Sequence, residues 1–297
     1  MLKRKTTKAV CAKINRIREE MGYPSDLRVI PVEKEGLSHF LYLNSLVDEE
    51  TLAKVLAQYD RTQLSVSEVG KDGGKVCLVR DSEMAAGLLL DGNLLLVNES
   101  EGFYSYETQG WLKREPKEPA TERLVRGPRE GFTETIDVNV GMLRRWIRDP
   151  NLKVEELRIG RRTKTRVNVL YLSGVARAGL VKEVRRRLRA IDIDGVLEAG
   201  YLEQLIVDRR ASIFPLVQTT ERSDRVAAAL LEGRVAILVD KSPTTLLVPV
   251  TINELYQTPE DYYFSFWIGS FLRLIRLLGN NLAVAFPGIY IALTVYH

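Results

Sequence analysis

The strongest constraint on this chain is that it carries one pattern twice. Residues 82–97 read SEMAAGLLLDGNLLLV, and residues 223–239 read SDRVAAALLEGRVAILV. Each predicts a short helix, a glycine and then a buried strand. Ser82 and Ser223 are suited to the N-cap, where a side-chain oxygen accepts an orphan backbone N–H. Gly92 and Gly233 are suited to the left-handed position just past a helix end. After the second strand, residues 240–243 make a turn and 244–250 return as a strand. After the first, 98–102 turn and 103–107 return.

The pattern extends upstream. The strand Leu41-Tyr42-Leu43 precedes a helical stretch over 48–59, in which Leu52, Val55 and Leu56 share a face. The strand Leu170-Tyr171-Leu172 precedes a helix over 180–189, in which Leu180, Val181, Val184 and Leu188 share a face. Further strands are expected at 76–79 and 214–217, with one extra helix near 197–207 in the second half. The order predicts an α/β fold of two similar subdomains with mixed sheets, followed by a helical segment entering the membrane. The first subdomain is expected over 1–107 and the second over 151–250. Between them, 108–150 holds a linker rich in proline, glycine and alternating charge, then a short helix over 140–148 stopped by Asp149-Pro150.

Residues 251–297 are expected to form a juxtamembrane helix and a first transmembrane segment. From Leu277 to Tyr296 there is no charged residue, a length that crosses a bilayer core as a helix. Arg273 and Arg276 flank its N-terminal side and place that side in the cytoplasm. Trp267, Tyr262 and Tyr263 suit the interface. Asn280 and Asn281 are polar positions that should face a bundle interior. No helix partner for them is evident, so the chain is expected to be part of a longer membrane protein. The competing reading is a buried helix of a soluble domain.

Little in the chain suggests chemistry. It has two cysteines and two histidines, with no zinc spacing. There is no phosphate-loop motif and no nucleophile elbow. Cys77 and His39 lie in or beside apolar strands and read as structural. Asp192-Ile193-Asp194-Gly195 reads as a turn, because apolar residues fill the following ligand positions. No enzyme, metal or cofactor is predicted. The net charge of +4 is mild. Acids interrupt the basic clusters at 144–148, 158–166 and 185–189, and no aromatic platform accompanies them, so nucleic acid is not expected. No signal peptide begins the chain, and the N-terminus is expected in the cytoplasm.

Several phrases stand out: RGPREGFTE at 126–134, DPNL at 149–152 with IGRRTKT at 159–165, IDIDG at 191–195, and TERSDRVAAALLEGRVA at 220–236. PVT at 249–251, PEDYY at 259–263 and ALT at 292–294 complete the set. In these phrases the chain resembles the GerA family of spore germination proteins, A subunit. Together they cover about residues 120–297, whereas 1–115 fit by layout only. The resemblance implies a membrane subunit of bacterial endospores, sited in the spore inner membrane with its N-terminal region facing the core. It implies two α/β subdomains followed by several spanning helices. It also implies work with B- and C-type subunits, self-association, and a nutrient-gated ion channel, with the nutrient bound mainly by a partner subunit. Lys241 departs from an expected glycine, and Arg177 stands where an acidic or Asn helix cap is usual.

On this reading the chain supplies a cytosolic coupling and assembly domain. Arg126, Arg129, Glu130, Arg161, Arg162, Glu221 and Arg222 are candidate coupling or interface residues. Arg273, Arg276, Asn280 and Asn281 are candidate polar positions of the membrane helix. The alternative is a soluble or peripheral two-lobed protein that clamps a small molecule between its modules.

Overall fold

The structure is a computed structural model of the whole chain. It describes residues 2–32, 38–62, 77–98, 102–108, 122, 128, 130–207, 215–251 and 265–295. Of these, 2–8, 58–62 and 77 are described by their backbone alone.

The first module opens with helix α1 (Leu2–Met21), followed by strands β1 (Leu27–Pro31) and β2 (His39–Leu43). Helix α2 (Glu49–Thr62), strand β3 (Cys77–Val79) and helix α3 (Ser82–Leu90) come next, then strands β4 (Leu94–Val97) and β5 (Phe103–Tyr106). The second module repeats the order. It has α4 (Ile136–Trp146), β6 (Leu152–Ile159), β7 (Thr165–Leu172), α5 (Ala178–Arg189), the extra α6 (Ala199–Ile206) and β8 (Gln218–Thr220). It ends with α7 (Ser223–Leu231), β9 (Val235–Val239) and β10 (Thr245–Val248). A last helix, α8, runs Phe266–Val295.

The two five-stranded sheets have one topology, β1-β2-β4-β5-β3 and β6-β7-β9-β10-β8. Every pairing within them is antiparallel, where mixed sheets are expected from the alternation of helix and strand. The reason is the straddle in each repeat. Helix α3 links β3 to β4, which run the same way, but β5 lies between them. Helix α7 does the same for β8 and β9 around β10. Parallel strands are therefore never neighbours.

Each sheet is covered on both faces, which is why its central strands are apolar throughout. Along β9, Ala236 and Leu238 face α4 and α7, while Val235, Ile237 and Val239 face α5 and α6. In the first module, Leu41, Leu43, Leu95 and Val97 pack on Ile14 and Ile17 of α1 and Leu89 of α3. Phe40, Tyr42, Leu94 and Leu96 pack on Leu52, Val55 and Leu56 of α2. Thus α4 occupies in the second module the place of α1 in the first. The short helix expected with the linker contributes Ile136, Val140 and Leu143 to the second core.

The helix ends repeat as well. Gly92 and Gly233 have φ of 86° and 85°. The paired bonds of a Schellman motif close both helices: Gly92 N to Leu89 O with Asn93 N to Leu88 O, and Gly233 N to Leu230 O with Arg234 N to Ala229 O. The serines are not the caps. Asp81 caps α3, its carboxylate accepting from Glu83 N, while Arg222 holds the corresponding place before α7 without a side-chain cap bond. Ser82 and Ser223 are instead the first helical residues, and their hydroxyls tie α3 to α1 and α7 to α4. Ser82 donates to Glu20, and Ser223 accepts from Trp146 Nε1. A serine one position into the helix is better placed to reach a neighbouring element than its own backbone.

Candidate coupling seam between the modules

The described contacts between modules converge where α1, β1 and the β2–α2 turn meet α4 and β6. Arg144 on α4 lies four residues after Val140 and eight after Ile136, on the face that enters the core. Its guanidinium makes two bonds to the Asp26 carboxylate, Nε to Oδ2 at 2.7 Å and NH2 to Oδ1 at 2.8 Å. The side chains are 1% and 5% exposed. The Ser45 hydroxyl donates to the same carboxylate at 2.7 Å. Burial pushes the Asp26 carboxyl up, but the Arg144 charge and bonds, helped by Ser45, outweigh it and hold it below the usual carboxylate range.

Two glycines permit this closeness. A Cβ on Gly141 would lie 2.1 Å from the Ser45 carbonyl oxygen. Gly22, with φ of 66°, ends α1 against the Lys153 side chain. Lys153 Nζ donates to Met21 O at 3.0 Å and to Pro150 O at 3.1 Å. A cation of the second module therefore finishes the carbonyl end of the first helix of the first. Burial lowers the Lys153 pKa, an effect that nearby Asp149 opposes and Arg144 reinforces. Ser25 N donates to Val154 O at 3.1 Å, and Arg148 faces Asp91 at 3.7 Å.

The connector is pinned to the start of α7. Glu122 accepts from Thr220 Oγ1 at 2.6 Å and pairs with Arg225 at 3.0 Å. The Ser223 hydroxyl donates to Glu130 O, Phe132 N donates to Glu221 O, and Gly131 bridges Arg222. Asn139 on α4 bonds both backbone groups of Thr133, and Lys241 N donates to Glu134 O. Lys241 has φ of 69°, a left-handed backbone that explains why glycine is expected there.

The expected interface residues separate into three groups. Glu130, Glu221 and Arg222 do meet, through backbone atoms of the connector. Arg222 is buried and its guanidinium pairs with Asp224 at 2.6 Å. Arg161 and Arg162 lie at the β6–β7 turn, where Arg161 pairs with Asp192 at 3.0 Å and both backbone amides hold the 193–194 carbonyls. The 192–195 stretch, expected as a turn, is an irregular segment with a bend at Asp194 laid against the β6–β7 turn. Arg126 and Arg129 lie outside the described residues. Asp26, Ser45, Arg144, Lys153 and the two glycines are absent from the expected set. A signal for Arg144 exists, since a charge four and eight residues after core positions on one helix face must find a buried partner.

The membrane-helix positions sit on α8. Its 30 residues have a mean hydropathy of 1.4 over the best window, and only Gly269 is buried. A buried core helix is excluded for this segment. Arg273 and Arg276 are half-buried near its start, Asn280 is exposed, and Asn281 Nδ2 bonds back to Leu277 O at 2.7 Å. Pro287 lies inside the helix. Tyr262 and Tyr263 lie outside the described residues. His39 is half-buried on β2, and burial lowers its pKa. Among the described residues no three His, Cys, Asp or Glu groups converge as a metal site would need.

The profile of the Bacillus/Clostridium GerA spore germination proteins matches residues 15–297. Spore germination protein KA of Bacillus subtilis is 35% identical over 94% of this chain and 54% of its own length. Spore germination protein GerLA of Bacillus cereus is 34% identical over 95% of this chain and 60% of its own. The chain thus spans little more than half the length of these relatives. The crystal structure of the N-terminal domain of the A subunit of the Bacillus megaterium spore germinant receptor GerK3 superposes with a TM-score of 0.58 at 32% identity. It covers 80% of this chain and 94% of that one. A duplicated helix–sheet–helix body, an exposed apolar helix and these likenesses agree: the chain belongs to the GerA family of spore germination proteins, with the fold of the A-subunit N-terminal domain.

Proposed function

We propose that this chain is the cytosolic coupling and assembly part of a nutrient-sensing germinant receptor, with α8 as its first membrane span. Helix α8 carries the reading. At 1.5 Å per residue it is about 45 Å long, enough to cross a bilayer with its interfaces. Among the described residues nothing covers its apolar surface. Arg273 and Arg276 near its start favour a cytoplasmic, core-side position for the modules and a site in the spore inner membrane. The seam supports the coupling role, because a buried ion pair makes the two modules move as one body. The role is not catalytic. B- and C-type subunits and further copies of the chain are the partners. The nutrient is bound mainly by a partner subunit, and the assembly passes ions.

Flotation with vesicles tests the anchor. The full chain is expected to float and a chain stopped at Val250 to stay behind. If neither floats, the two-lobed binding protein becomes the better account, and amino-acid binding by calorimetry should then be sought. Arg129→Glu in spores tests the connector: unchanged subunit assembly together with unchanged germination would remove it from the coupling route.

A further inference from the structure

We propose that the α5/α6 layer of the second module rests on the anionic bilayer surface beside the span. The inference builds on the reading of α8 as a membrane helix. Helix α5 carries Lys182, Arg185, Arg186, Arg187 and Arg189 against Glu183 alone, a net charge of +4. Its apolar side, Val181, Val184 and Leu188, is buried on the sheet, and Lys182, Arg186 and Arg189 project outward. Clusters of this size next to a spanning helix are drawn to acidic headgroups. Arg186 and Arg187 share Glu183 and Arg185 turns to Glu155 of β6, so two acids offset two charges and the outward Lys182, Arg186 and Arg189 keep the face cationic.

Three further observations choose a membrane over another polyanion. First, the chain leaves β10 on this side of the sheet: Val248, Pro249 and Val250 line one groove with Leu180 and Val184 of α5. Only fifteen residues separate Val250 from Phe266, a reach of at most about 55 Å that keeps the second module within that distance of the span. Second, apolar side chains stand exposed on the same layer. Leu197, just before α6, is 66% exposed and Tyr201, in its first turn, 49%, a mixture suited to the headgroup boundary. Third, the repeat supplies its own control. Helix α2 fills the same topological place in the first module, far upstream of the span in sequence, yet holds Glu49, Glu50 and Asp60 against Lys54 and Arg61, a net of −1. The fold does not require a basic helix there. Asp192, Asp194, Glu198 and Glu203 also lie on this layer. Arg161 answers the two aspartates, and the glutamates sit with α6 rather than under α5.

The test uses the full chain in vesicles of phosphatidylcholine, with or without phosphatidylglycerol, followed by hydrogen exchange. Amides of α5 should exchange at least three-fold more slowly on the anionic vesicles. High salt, or Lys182→Glu with Arg189→Glu, should abolish the difference, and α2 should show none. Equal exchange of α5 on both lipids, or slowing that survives charge reversal, overturns the proposal. So does equal slowing by soluble duplex DNA, which would mark a nucleic-acid face. Helix α8 reports separately. If it exchanges freely on both vesicles, the spanning reading fails, whereas a protected α8 with a lipid-blind α5 sinks this inference alone.

Discussion

The two modules share a topology, a pair of Schellman closures and a serine that ties α3 or α7 to the opening helix of its module, yet they differ wherever side chains meet solvent or each other. Helix α3 is capped by Asp81; α5 and α7 have no side-chain cap. Helix α2 is slightly acidic and α5 strongly basic. What persists through the duplication is set by the backbone: left-handed glycines and strands buried on both faces. What has diverged is set by surroundings that the modules do not share. The seam belongs to neither repeat, since Asp26 and Arg144 sit on opposite sides of it.

The largest effect is expected at that seam. Arg144→Ala or Asp26→Ala should each cost about 3–5 kcal/mol in urea melts, because either leaves a buried charge unpaired. Asp26→Leu combined with Arg144→Met should recover most of it. Equal losses in the single and double variants would show that packing, not charge, holds the modules. The pair also fixes a pH dependence. A carboxyl held below its unfolded value of about 3.9 contributes stability that is full above that pH and lost as pH falls through the folded value. Melts should therefore weaken below about pH 4, and Asp26→Asn should flatten that decline from a lower starting stability.

Next comes Gly141→Ala, whose new methyl meets the fixed Ser45 carbonyl rather than a movable side chain; a loss of about 1–3 kcal/mol is expected. Seam compounds of this kind should lower the stability of the joined modules without altering secondary structure by circular dichroism.

The duplicated glycines sharpen the comparison further. Gly92→Ala and Gly233→Ala should each cost about 1–2 kcal/mol for the left-handed backbone. At Gly233 the new Cβ would also press to 2.9 Å from Val175 O, so the cost there should lie at the upper end of that range. A cost at the lower end would mean that the turn before α5 yields easily. The smallest changes concern the caps: Asp81→Ala should lose, and Arg177→Ser gain, up to about 1 kcal/mol in thermal melts.

Most of the repeat was legible because its signals are local. Helices α2, α5 and α6 and strands β4 and β9 fall close to their expected places. The short helix expected at 140–148 is α4, whereas the opening helix of the first repeat and the opening strands of both escape a sequence reading, for one reason. Val10, Ile14, Ile17 and Met21 do keep a helical period, but polar residues surround them, and LKVEELRI in β6 loses its alternation after Val154. Strand β8 begins at Gln218, later than expected, because its pairing with β10 is set across the sheet. The seam was harder still. Asp26 and Arg144 are 118 positions apart, and nothing local marks them as partners. The expected site was drawn to the connector, whose bonds run largely through main-chain atoms that carry no residue signature.

The Lys153 contact has a consequence for how the molecule is made. A ribosome releases the first module complete in sequence well before Lys153 leaves the exit tunnel. At roughly 5–20 residues per second, the Met21 carbonyl waits on the order of seconds for the cation that meets it. Gly22 N and Tyr23 N close the turn of α1 from within the first module, and the second module supplies the last partner on arrival.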